Sequence, residues 1–172
     1  MYNRKKIQAK IQMKSIREYV TEKMIYKKSN VSKYKYHPES KKELQEILFD
    51  IAEDLGRENL NLNNIDVSNI TDMSELFAGY GATGQLGNIN SLKSIDISEW
   101  DVSKVTNMES MFENQYELDS IGDVSKWNVS NVTNMNFMFK DCEMLVCDIS
   151  DWKFNKNVTM DRFTHRAKFI SL

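Results

Sequence analysis

Residues 101–112 read DVSKVTNMESMF, and the same line stands twice more, as DVSNITDMSELF at 66–77 and NVSNVTNMNFMF at 128–139. The common pattern is [DN]-V-S-x-[IV]-T-[DN]-M-x-x-[LM]-F. A second block precedes it, as DISEW at 96–100, DVSKW at 123–127 and DISDW at 148–152. Trp100, Trp127 and Trp152 each stand eight residues before Met108, Met135 and Met160, so the degenerate WKFNKNVTM keeps the register. Units therefore start near residues 66, 101, 128 and 153. A unit of about 25 residues cannot bury its apolar face alone and must pack against its neighbours.

Each unit has a local reading. In D-[IV]-S-x-W apolar and polar residues alternate, which predicts a short strand. Met108, Met111 and Phe112 fall at i, i+3 and i+4, the spacing of one helical face, as do Met73, Leu76, Phe77 and Met135, Met138, Phe139. The fold class expected is an α/β repeat: a short leucine-rich-repeat-like solenoid with a strand and a short helix per unit. The Asp or Asn opening each motif is expected to bond backbone groups at a turn. Residues 40–56, SKKELQEILFDIAEDLG, predict one longer helix. Ser40 and Glu43 stand in capping-box spacing, Leu44, Ile47, Leu48, Ile51 and Leu55 form one stripe, and Gly56 is a stop. That helix is expected to cap the solenoid at its N-terminal end.

The W-D-V-S-N-V-T-N-M-x-x-M-F signature, with its lead-in YHPESKKELQEILFDIAEDLG, resembles the BspA-like leucine-rich-repeat surface-protein family over about residues 34–163. The resemblance implies a non-enzymatic binding scaffold of a kind found on bacterial surfaces and also encoded by phages and prophages. This chain differs from that pattern by lacking an export or lipoprotein signal and by carrying a basic arm.

The arm dominates the charge distribution. Residues 1–35 hold eleven Lys and Arg against Glu18 and Glu22, a net +9, which leaves −11 on the rest of a chain whose formal charge is −2. Helix formers run through residues 1–37 without Pro or Gly until Pro38, so a basic helical arm is expected there, followed by the capped solenoid over 38–172. MYNRKKIQAKIQMK lacks the apolar stretch of a secretion signal and no run is long enough to span a membrane, so the expected location is cytoplasmic or particle-associated. Cys142 and Cys147, the two cysteines of the chain, make neither a disulfide framework nor a zinc site.

No spacing supports nucleophilic catalysis or a metal or cofactor site. GYGATG at 79–84 matches a dinucleotide-binding glycine pattern but follows a helical segment and leads into polar QLGNINSLKS, the wrong context. It reads instead as an insertion loop whose Gly79, Tyr80, Gly81 and Gly84 are candidate partner contacts. Arg4, Lys5, Lys6, Ile7, Lys10, Ile11, Lys14 and Arg17 are the candidate partner contacts of the arm. The expected function is a non-catalytic protein-interaction or assembly module, with a phage or prophage structural or accessory role implied by the resemblance. No cofactor, small-molecule substrate or membrane is expected. Two alternatives stay open: nucleic-acid association through residues 1–35, and inhibition of a nucleic-acid-binding host protein by the acidic body.

Overall fold

The computed structural model describes residues 33–79 and 92–171 of the chain. The helix among the described residues, α1, spans Lys41–Leu55. The Ser40 side chain accepts a bond from the Glu43 N–H at 3.2 Å, and Glu43 reaches back to accept from the Glu39 N–H at 2.8 Å. These bonds satisfy amides that the first helical turn leaves without partners. Gly56 takes φ 85° and ends the helix. Leu44, Ile47, Leu48 and Ala52 face the core, whereas Leu55, expected on the same stripe, is 73% exposed. No helix among the described residues is long and apolar enough to cross a membrane.

Among the described residues there are also four short strands: β1 (Leu60–Asn61), β2 (Ile95–Asp96), β3 (Val146–Asp148) and β4 (Phe169–Ser171). They form two parallel two-stranded sheets, β1 with β2 in the register Leu60↔Ile95, and β3 with β4 in the register Val146↔Phe169. This architecture corrects the expected leucine-rich-repeat-like solenoid of strand-plus-short-helix units with its capping helix. The described part of the chain is a small mixed α/β domain with one helix. Of the basic helical arm expected over residues 1–37, residues 1–32 lie outside the described residues, and residues 33–37 are not helical, Tyr36 forming a parallel bridge with Ile65.

The physical reason lies in the backbone of the motifs. Glu75, Ser110 and Phe137, each in the x-x stretch after the motif Met, have φ values of 56°, 54° and 59°. A residue in the left-handed region interrupts a right-handed helix, so the Met and Phe spacing that imitates a helical face is carried by turns. The strand expectation fails similarly at D-[IV]-S. The side chains of Asp66, Asp96, Asp101, Asp123, Asn128 and Asp148 each accept the N–H of the serine two residues on, at 3.0–3.2 Å. Such turns bend the chain where a strand would continue.

What the turns leave available is used between motifs. The N–H groups of Met73, Glu75, Phe77 and Gly79 donate to the carbonyls of Asn107, Glu109, Met111 and Glu113. Those of Met108, Ser110, Phe112 and Asn114 donate to Asn134, Asn136, Met138 and Lys140, and those of Met135, Phe137, Phe139 and Asp141 to Thr159, Asp161, Phe163 and His165. All twelve bonds measure 2.7–2.9 Å. The parallel bridges Asp72↔Asn107, Asn107↔Asn134 and Asn134↔Thr159 belong to the same rows.

This register places like side chains over like. Phe77, Phe112 and Phe139 stack with centroids 5.4 and 5.6 Å apart and planes within 5°, and Trp127 lies over Trp152 at 6.0 Å. The indole N–H of Trp100 donates to the Leu62 carbonyl at 3.0 Å and that of Trp152 to the Val124 carbonyl at 2.8 Å. That of Trp127 is buried without a partner among the described residues.

Two measurements check this packing. Phe139→Ala removes the last ring of the stack, which also meets Phe163 edge-on, and is expected to lower the unfolding free energy by about 3–5 kcal/mol. Trp152→Phe deletes the indole bond to the Val124 carbonyl, which keeps the Trp127 backbone N–H as its other donor, while Trp127→Phe removes an orphaned donor, so the former should cost about 1 kcal/mol more in urea denaturation. Equal losses would contradict the assignment of the two indoles.

Candidate functional site

Of the expected loop contacts, the structure describes Gly79; Tyr80, Gly81 and Gly84 lie outside the described residues, as do the arm residues Arg4, Lys5, Lys6, Ile7, Lys10, Ile11, Lys14 and Arg17. Gly79 ends the first backbone row, and a Cβ there would run into the Asn114 carbonyl. Its missing side chain thus serves close backbone approach. Buried Gln115 holds both ends of the segment that follows: its side-chain amide donates to the Phe77 carbonyl at 2.7 Å, and its oxygen accepts the Leu92 N–H at 3.2 Å.

The aspartates that open the motifs are engaged in turns. His37 Nδ1 lies 3.2 Å from Asp66 Oδ2, and the Ser68 hydroxyl also bonds that carboxylate. A nucleophilic triad needs the histidine between serine and carboxylate, whereas here the carboxylate stands between them. Burial pushes the Asp66 carboxyl up, but the bonds from Ser68 and then His37 outweigh it and hold the group below the usual range. Asp96 behaves alike, with burial opposed by the Ser98 hydroxyl and N–H and by Asn63. The Asp101 carboxyl is lowered chiefly by the Ser103 hydroxyl and N–H, with Lys104 adding to them.

Beside β1 and β2 an open cleft of about 540 Å³ is lined by Glu58, Asn59, Lys93, Asp96, Asp119 and Gly122 among others. Gly122, at φ 80°, lets the chain pass the Asp96 carboxylate. Lys93 and Glu58 pair across the cleft at 3.5 Å. Among the described residues no group of three His, Cys, Asp or Glu is placed to hold a metal ion. Cys142 and Cys147 are both buried and free. Burial pushes each thiol up to about 12, which keeps it protonated and non-nucleophilic at neutral pH. The Cys142 thiol donates to the Phe112 carbonyl at 3.0 Å.

The surface feature that sequence reasoning missed lies on β3 and β4. Val146 is 65% exposed and Phe169 57%, and the two are register partners; Met144, two residues before Val146, is 55% exposed. The signal was present in the row of amides to which Val146 belongs. There the N–H groups of Lys93, Asp119 and Val146 donate in turn to the carbonyls of Arg57, Lys93 and Asp119, so an apolar residue stands where the preceding places are charged. Only the bonding register reveals that equivalence.

The profile of a family described as Mycoplasma protein of unknown function, DUF285, matches residues 42–171. The chain belongs to this family. The matched span begins within α1 and ends with β4, so it contains every backbone row and both sheets of this DUF285 domain. The candidate arm residues precede it. No curated protein and no solved structure matches the chain.

The lowered carboxyls set the acid response of this domain. A group whose folded pKa is depressed contributes its full stabilisation above the unfolded value of about 3.9 and loses it as pH falls toward the folded pKa. The melting temperature is therefore expected to hold from pH 7 to about pH 5 and to drop below about pH 4. Asp101→Asn, the residue type found at 128, should keep the turn and the pH 7 melting temperature while reducing acid sensitivity. Asp101→Ala loses the turn and should destabilise at both pH 7 and about pH 3.5. Circular-dichroism melts across this range decide the matter.

Proposed function

We propose that the chain is a non-catalytic protein-interaction or assembly module. The observation that carries this reading is the exposed apolar pair Val146 and Phe169 on adjoining strands, with Met144 beside it. A domain that buries Phe77, Phe112, Phe139 and three tryptophans leaves these side chains in water, and a clustered apolar surface is what a protein partner covers. Among the described residues both thiols are held protonated and the Asp66 carboxylate is engaged by Ser68 and His37, which accords with this reading.

The test uses the full chain and its Val146→Lys, Phe169→Lys double variant, immobilised and exposed to a lysate of the source cells. The expected result is a defined protein partner whose retention falls at least about tenfold with the variant, while both proteins melt alike. The acidic body repels a phosphate backbone, so nucleic-acid affinity is expected to be negligible at physiological salt. Micromolar, salt-sensitive binding to DNA or RNA, abolished when Arg4, Lys5, Lys6, Lys10 and Lys14 become Gln, would overturn the proposal in favour of nucleic-acid association.

A further inference from the structure

The rows that bind motif to motif run in one direction, and the last row ends without an acceptor. Met160, Arg162, Thr164 and Arg166 occupy the places that Met135, Phe137, Phe139 and Asp141 hold one motif earlier. The Phe163 N–H donates to the Met160 carbonyl as the Met138 N–H does to the Met135 carbonyl. Arg162 and Arg166 have φ values of 48° and 63°, matching 59° at Phe137 and 60° at Asp141. Yet the backbone N–H groups of Met160, Arg162, Thr164 and Arg166 have no partner among the described residues. The carbonyls of Met160, Arg162 and Thr164 are taken by the Phe163, His165 and Ala167 N–H groups. The row therefore offers donors, and what it lacks is a neighbouring line of carbonyl oxygens.

Side-chain burial gives a second, independent sign of an uncovered layer. Met73, Met108 and Met135 are completely buried, as are Val105 and Val132, but their counterparts Met160 and Val158 are only half-buried. Charge supplies the third. Residues 153–171 carry Lys153, Lys156, Arg162, Arg166 and Lys168 against Asp161, a net +4, whereas residues 36–152 carry −15. Arg166 is engaged by Asp141 and Glu143, at 3.3 and 2.9 Å, while Arg162 and Lys168 make no ion pair among the described residues.

We propose that this row binds an acidic, extended segment of another polypeptide, laid parallel to residues 159–166 with alternate carbonyls on the four free N–H groups. The proposal rests on the protein-interaction reading and names the edge and the chemistry of the partner. Strand-like addition at an open edge draws affinity from main-chain bonds and selectivity from the flanking side chains. The first motif of a second copy is not the occupant. At the matching places Leu76 and Ala78 are buried, and the Lys41 ammonium of α1 bonds the Ser74 hydroxyl at 2.5 Å and pairs with Asp72. Residues 1–32 are not the occupant either, because their net +7 would face the net +4 of the edge.

The probe is a synthetic peptide of residues 101–114, DVSKVTNMESMFEN, an acidic copy of the motif, added at millimolar concentration to the full chain. The readout is amide hydrogen exchange by NMR. In the free protein the Met160, Arg162, Thr164 and Arg166 amides should exchange at least about 100-fold faster than those of Met135, Phe137, Phe139 and Asp141. The peptide should slow the four free amides at least about tenfold, and the Arg162→Glu, Lys168→Glu variant should abolish that slowing while retaining its melting temperature. No slowing, or equal slowing by a scrambled peptide, overturns the proposal. A cellular partner captured through Val146 and Phe169 without protection of this row overturns the edge alone. Protection by the peptide with no captured partner upholds the edge and counts against the broader reading alone.

Discussion

Twelve backbone bonds, each from an amide in one motif to a carbonyl in the next, are the constraint on which the rest of the domain depends. They exist because the motifs are turned inward on themselves too tightly to form helices. With left-handed residues at Glu75, Ser110 and Phe137, alternate amides face the following motif and cannot be satisfied within their own. A non-glycine residue in that region costs about 1–2 kcal/mol. The inter-motif bonds and the fully buried Met and Phe columns offset it, so local strain and long-range order are bound to each other.

The recurrence of the motif and the identity of the core were legible from the sequence, because Met108, Met111 and Phe112 repeat with unmistakable spacing and all are buried. The α1 boundaries were legible too, since Ser40, Glu43 and Gly56 are chemical punctuation that acts within a few residues. The form of the motif was not. A Met-x-x-Met-Phe spacing is shared by a helix and by consecutive turns that place the same side chains inward. The residue that distinguishes them at 110 or 137 is a serine or a phenylalanine, neither of which announces a positive φ. Only the Asx turns, written as D-x-S, were chemically visible as turns beforehand.

Much the same separates the legible and illegible parts of the candidate site. Glycine richness pointed to the loop beginning at Gly79, but the reason for that glycine is the neighbouring Asn114 carbonyl, a contact 35 residues away in the chain. Val146 and Phe169 drew no notice because apolar residues in a sequence are ordinarily assigned to the interior. Their exposure follows from their place in a sheet whose other face holds Cys147, and strand direction alone decides which side meets water.

Gln115 gives the domain a mechanical division of labour. By holding the Phe77 carbonyl with one end of its amide and the Leu92 N–H with the other, it ties the end of the first motif to the start of the chain that leads into the second. The backbone rows fix how motif sits on motif, and the glutamine fixes where the chain leaves the first motif at Phe77 and where it re-enters the core at Leu92. A single buried side chain thus does the joining while the backbone rows do the aligning.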